Sequence, residues 1–216
     1  MGSYWDFLSD NRSTLVFDSY QHMSYVVQSL VVGLIIGLVV AALCYRSVRW
    51  TGGANAGSAM AMTLPGFALF GLLSGIIAPG VKAAVIGLVF YGMMPILRNA
   101  VVGLRGVDPA LVESAKGMGM SRTATLLRLE IPMAWPVIMT GVRVSAQMMM
   151  GVAAIAAYVS GPGLGGQIFQ GLSQLGGANA TERVVVATVL IIVLAIILDL
   201  VLGFIARLTT SRGIRV

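Results

Sequence analysis

Two ionisable residues of this chain, Arg143 and Asp199, stand inside strongly apolar stretches, and a polar island, Glu113 to Pro132, stands between two such stretches. Charged groups in hydrocarbon are costly, so they are paired or functional. At a helical rise of 1.5 Å per residue, Arg143 lies about 15 Å beyond Met133 and Asp199 about 12 Å before Arg207. The two can therefore meet at similar depth as an ion pair. A part in gating or solute passage is the alternative reading.

Other chemistry-bearing residues are scarce. Cys44 is the only cysteine and lies within an apolar run, which leaves no disulfide framework and no thiolate metal site. His22 is the only histidine, has no ligand partners in the sequence, and is expected to be solvated or interfacial. No nucleophile–base set is apparent, and no G-x-x-x-x-G-K-[ST] loop that would cradle ATP phosphates is present. These observations argue against an enzyme and against a cofactor or metal held by this chain.

The elements that must carry these residues are set by composition. Charged residues make up 10% of the chain, apolar residues 57%, and mean hydropathy is +0.91. A soluble domain carries about a quarter charged residues, so a chain this poor in charge belongs in a bilayer. A span needs roughly 20 apolar residues. The sequence predicts five: about 26–45, 56–77 (broken by Pro65-Gly66), 81–97 (containing Pro95), 133–159 and 184–205. The predicted fold class is an all-α polytopic membrane protein. Residues 1–23 are read as an external segment, with Trp5, Phe7 and Leu8 resting at the interface, or else as a disordered tail. Asp6, Asp10 and Asp18 precede the first run, which argues for a retained span rather than a cleaved signal.

The formal charge of +6 invites a nucleic-acid partner, but the basic residues lie between apolar segments rather than along one face. With the N-terminus outside, Arg46, Arg49, Arg98, Arg105, Lys116, Arg122, Arg128, Arg207, Arg212 and Arg215 are cytoplasmic, against Arg12, Lys82 and Arg183 outside. Ten against three is the bias of the positive-inside rule. The loop 105–132 and the tail 207–216 therefore face the cytoplasm.

Within that loop, Asp108-Pro109 is a helix start: Asp accepts from free N–H groups, and Pro suits the first helical position. Gly117 and Gly119 permit a stop and a turn through positive φ. Ser121 caps a second short helix, Arg122 to Glu130, which Pro132 is expected to end before the next span. Leu111, Ala115 and Met118 can line one face. On these residues alone, a loop resting on the membrane and a docking surface both fit.

The spacing carries more. Glu113-Ser114-Ala115, three residues to Gly119, nine residues, then Leu129-Glu130-Ile131-Pro132 resembles the E-A-A, G, I-x-L-P signature of bacterial ATP-binding-cassette importer permeases. Ser114 for alanine and the aliphatic swaps are the departures. The resemblance implies the type I importer permease fold over about residues 24–206, with 105–132 holding a coupling helix seated in an ATPase subunit. Glu113, Ser114, Ala115 and Gly119 would make that contact, framed by Asp108, Pro109, Ser121, Arg122 and Pro132. The run from Pro95 to Arg143, with Thr63 to Gly71 and Gly161 to Phe169, resembles the osmoprotectant subfamily. Glycine betaine, choline or carnitine would then be carried.

The implied partners are two ATPase subunits, a second permease copy (the same chain or a paralogue), an external solute-binding protein, and membrane lipid. ATP and magnesium would sit on the ATPase. The implied place is a bacterial plasma membrane. Permeation of an amino acid such as methionine is the alternative; an ATP-independent channel or secondary transporter is a more distant one.

Pro65 at the broken span and the flexible mid-span run Gln147-Met148-Met149-Met150 are candidates for the solute path or gate, with bundle packing as the alternative for the methionines. Gly161, Gly163 and Gly165, around Pro162 and Leu164, would form an external re-entrant element facing the binding protein, or a flexible connector. Aromatic boxes recognise quaternary amines, but no such cluster is evident within the spans. Tyr45, Trp50 and Trp135 fall near predicted interfaces, where such rings are expected anyway.

Overall fold

In hydrocarbon every backbone N–H and C=O must be satisfied within the chain, which leaves helices for apolar runs of this length. The computed structural model describes residues 4–210, and every regular element among them is helical. The order is α1 (Tyr4–Asp10), α2 (Arg12–Cys44), α3 (Val48–Met62), α4 (Gly66–Ile77), α5 (Val81–Arg105), α6 (Pro109–Gly117), α7 (Arg122–Thr125), a π-helical turn (Leu126–Glu130), α8 (Ile131–Ala156), a 3-10 turn (Ala157–Val159), α9 (Gly165–Ser173) and α10 (Ala180–Thr209). Four helical stretches are long and apolar enough to cross a membrane, and α3 with α4 adds a fifth crossing if the bent pair is one span. Arg212 and Arg215 of the sequence count lie outside the described residues.

The expected external segment is not separate from the first span. No proline or glycine occurs between Arg12 and Gly33 to stop a helix, so residues 12–23 form the outer turns of the 33-residue α2. Phe7 does not rest at an interface: it is buried in the bundle, with the Arg183 guanidinium 5.8 Å from its ring centre. Trp5 is exposed.

The second predicted span is two helices meeting at 96°. Proline disfavours helix in the residue before it and donates no hydrogen bond. Leu64 accordingly leaves the helix, Pro65 sits at φ −64° and ψ 133°, and the helix axis turns. The corner is pinned by Tyr91 of α5, whose hydroxyl donates to the Leu64 carbonyl at 2.5 Å. Upstream, helix begins at Val48 rather than near Ala56.

At the centre lies α5, packed on α2 and α8. Pro95 does not end it, and the helix runs past residue 97 to Arg105. In a bundle, neighbouring helices compensate for the missing N–H. A Cβ at Gly33 would stand 3.3 Å from the Met93 nitrogen, and one at Gly37 3.1 Å from Ile96 Cγ2. Glycines four residues apart thus let the α2 and α5 backbones approach closely. On the other side, the Ser145 hydroxyl of α8 donates to the Gly92 carbonyl at 2.6 Å.

Pro132 likewise fails to separate the loop from the following span. Arg122 to Val159 is one helical stretch of 38 residues. The Ile131 N–H reaches back five residues to the Leu126 carbonyl, so the chain enters the proline through a π turn and absorbs it without a break.

Candidate functional site

The polar island projects from one end of the bundle as a capped helix, a turn and a second helix start. Asp108 Oδ1 accepts from the Ala110 N–H at 2.8 Å, with Pro109 at the first helical position. Ser121 Oγ accepts from the Ala124 N–H at 3.2 Å. Gly119 sits at φ +83°, a backbone region costly for any side chain; Gly117 simply ends α6 without needing it. Glu113, Ser114, Lys116 and Arg122 are exposed, and the Ser114 hydroxyl donates to the Ala110 carbonyl at 2.8 Å. Of the proposed apolar face only Ala115 is buried; Leu111 and Met118 point away from the chain, Met118 at 77% exposure. Apolar and charged groups therefore lie together on a surface that this chain itself does not cover.

The loop is anchored by a residue that sequence reading passed over. Glu130, at the end of the π turn, is buried and accepts from the Tyr45 hydroxyl at 2.6 Å and from Arg46 Nη2 at 3.1 Å. Arg46 Nε also donates to the Tyr45 oxygen at 2.5 Å. Partial burial works against the Arg46 charge, but these hydrogen bonds prevail and hold its pKa above the ordinary value. The sequence signal was a lone glutamate in LLRLEIP and a Tyr-Arg pair at the foot of the first span.

Farther along the helices, Arg143 and Asp199 form a partly exposed, two-pronged pair between α8 and α10. Nε donates to Oδ1 at 2.9 Å and Nη2 to Oδ2 at 2.7 Å. The pair lines a groove of about 700 Å³ with Pro136, Thr140, Gly203 and Phe204.

The methionine run divides. Met149 and Met150 are buried, and Met149 fills the space left by Gly92, where a Cβ would lie 2.3 Å from its sulfur. Met149 thereby packs α8 against α5. Gln147 is exposed and Met148 half-buried, and Pro65 is exposed at the bend.

Of the three glycines beyond α8, Gly165 is buried and Gly161 and Gly163 are half-buried, all in close contact with neighbouring backbone. A Cβ at Gly161 would meet the Ala156 carbonyl at 2.7 Å, and one at Gly165 would meet the Ala154 carbonyl at 2.3 Å. Gly163, at φ +99°, lies against the His22 backbone. His22 is accordingly neither solvated nor interfacial: it is fully buried, with Nε2 3.1 Å from the Met150 carbonyl, because α2 continues outward and carries it between the other helices. At the same end, Arg183 Nη1 donates to Gln167 and Gln170 at 2.9 and 2.7 Å, and Gln167 donates to Asp18 at 2.8 Å.

Several helices long and apolar enough to cross a membrane, with a capped helix projecting from one end, define a multi-pass membrane protein. The chain belongs to the binding-protein-dependent transport system inner membrane component family, which it matches over residues 33–211. It is 32% identical to the glycine betaine/carnitine/choline transport system permease protein OpuCB of Bacillus subtilis, over 100% of this chain and 97% of that one. It is 33% identical to the osmoprotectant import permease protein OsmW of Salmonella typhimurium, over 97% of this chain and 98% of that one. Among solved structures, an inward-facing MetNI methionine ABC transporter matches with a TM-score of 0.80 at 21% identity, over 98% of this chain and 100% of that chain. That last likeness concerns the fold.

Proposed function

We propose that this chain forms the solute path of an ATP-driven importer for quaternary-amine osmoprotectants such as glycine betaine, choline and carnitine. The observation that carries this is the helix Pro109–Gly117, with Glu113 and Ser114 exposed on it and Gly119 at the turn, in a chain whose relatives are named for glycine betaine, carnitine and choline or for osmoprotectants. In this reading α6 seats in a groove of a separate ATPase subunit, which binds ATP and magnesium. A second permease copy completes the path, and an external binding protein delivers the solute. The N-terminus lies outside and the C-terminus in the cytoplasm, in accord with the basic residues at the α6 end. Closure of the ATPase pair draws the coupling helices together and favours the outward-open of two packed states; the bias equals the difference in ATP affinity between them.

The test is reconstitution with the cognate ATPase and solute-binding protein. ATP-dependent uptake of labelled glycine betaine, choline or carnitine, uncompeted by methionine, is the expected result. Uptake of methionine in their place would assign the chain to an amino-acid importer of the same architecture.

A further inference from the structure

Three aromatic rings far apart in the sequence meet at one place. Phe67 comes from the first turn of α4, Tyr158 from the 3-10 turn after α8, and Phe169 from α9. Their centres are 5.5 Å (Phe67–Tyr158), 6.2 Å (Phe67–Phe169) and 6.1 Å (Tyr158–Phe169) apart. Phe67 stands nearly perpendicular to both others, at 82° and 87°. The cluster is not sealed into the core: Phe67 is 50% and Tyr158 62% exposed. It adjoins the 96° corner of α3 and α4, and it lies beside the α4–α5 turn, where the Gly80 N–H donates to the Val159 carbonyl at 2.8 Å.

We propose that Phe67, Tyr158 and Phe169 form a subsite for the trimethylammonium group of the transported solute, at the outer end of its path; this rests on the quaternary-amine reading above. A cation is drawn to an aromatic face within about 6 Å of its centre. With centres this close, one trimethylammonium group set over the triangle is within reach of all three rings. Its methyl groups hold water weakly, so it gives up hydration to an aromatic surface far more readily than a small metal ion or a primary amine does. A subsite made of rings without a carboxylate holds the cation weakly, as a path that must also release its cargo requires. Interfacial belt residues are spread around a membrane protein's rim, whereas these rings touch one another and come from three elements at a helix break.

The test uses the assembled permease–ATPase complex in nanodiscs of phosphatidylethanolamine and phosphatidylglycerol, so that added choline is the only trimethylammonium present. Saturation-transfer NMR compares choline with 3,3-dimethylbutanol, its uncharged isostere. The expected result is transfer to the choline methyl protons, with the isostere bound on the order of tenfold more weakly. Fluorinated phenylalanines at positions 67 and 169 keep ring shape while draining the ring face, and choline affinity should fall stepwise with fluorine number. Equal binding of the isostere, or affinity indifferent to fluorination, overturns the subsite. Failure of the wider reading looks different: no quaternary amine is taken up by the reconstituted importer. Uptake that proceeds with choline affinity unmoved by fluorination sinks the subsite alone.

Discussion

Arg143 and Asp199 show how far single residues can be read from sequence. Their depths along two separate helices are commensurate, and the structure joins them at 2.9 and 2.7 Å. An arginine or aspartate left alone at a helix centre in the membrane costs about 2.5–3.5 kcal/mol on insertion scales. Arg143→Glu and Asp199→Arg should each lower transport and the amount of assembled protein, and the double variant should recover both. Single losses that the double variant leaves unchanged would mean that each residue acts independently of the other. Glu130 was less legible, because its partners Tyr45 and Arg46 lie 85 and 84 residues away. Tyr45→Phe removes one hydrogen bond to a buried carboxylate and should cost about 1–3 kcal/mol. If the anchor transmits force from the loop to α2, Tyr45→Phe should also reduce solute moved per ATP hydrolysed; an unchanged ratio with lowered melting temperature would make it a structural tie only. The burial of His22 is illegible in the sequence for the same reason as the outer turns of α2: one residue's solvation depends on where the helix ends, which local composition does not mark.

Among the elements, long apolar helices and the caps at Asp108 and Ser121 were legible because their causes are local. The fate of the prolines was not. Pro65 turns the chain by 96°, whereas Pro95 and Pro132 are carried through, one within a closely packed helix and one behind a π turn. The difference lies in what neighbouring helices offer the freed backbone. The glycines of α2 follow the same logic: Gly33 and Gly37 are ordinary span residues in sequence and contact surfaces in space. Gly37→Leu should drive α2 off α5 and sharply lower recovery of folded protein in detergent, while Gly52→Leu, with open space around it, should not. Equal recovery of the two variants would show that close approach at Gly37 is dispensable. The packing of Gly161, Gly163 and Gly165 against Ala156, His22 and Ala154 is not legible in the sequence, because it depends on where α2 and α8 end in space. The aromatic cluster went unseen because Phe67, Tyr158 and Phe169 converge only through that packing and the corner at Pro65.

As a whole molecule, the chain is a bundle built around α5 whose outer helices, α10 above all, expose isoleucine, leucine and valine, and whose α6 and the turn after it expose Leu111, Glu113 and Met118. The proposed function accounts for that asymmetry: in it, one face is wetted by lipid, one end seats in the ATPase, and the solute passes between. Membrane location and class followed from composition and from the spacing between Glu113 and Pro132; the solute follows only from relatives, and the proposed aromatic subsite required the folded arrangement. The claim that joins these parts is that α6 transmits ATP-driven motion into the bundle. It is tested most directly by ATP-dependent glycine betaine accumulation in vesicles holding the complete importer, comparing wild type with Glu113→Ala at matched permease levels. The expected result is accumulation that requires ATP in the wild type and falls at least tenfold in Glu113→Ala, with the ATPase held less tightly, a coupling loss of about 1.4 kcal/mol or more. Accumulation that proceeds without ATP, or that Glu113→Ala leaves intact with the ATPase still bound, would contradict it.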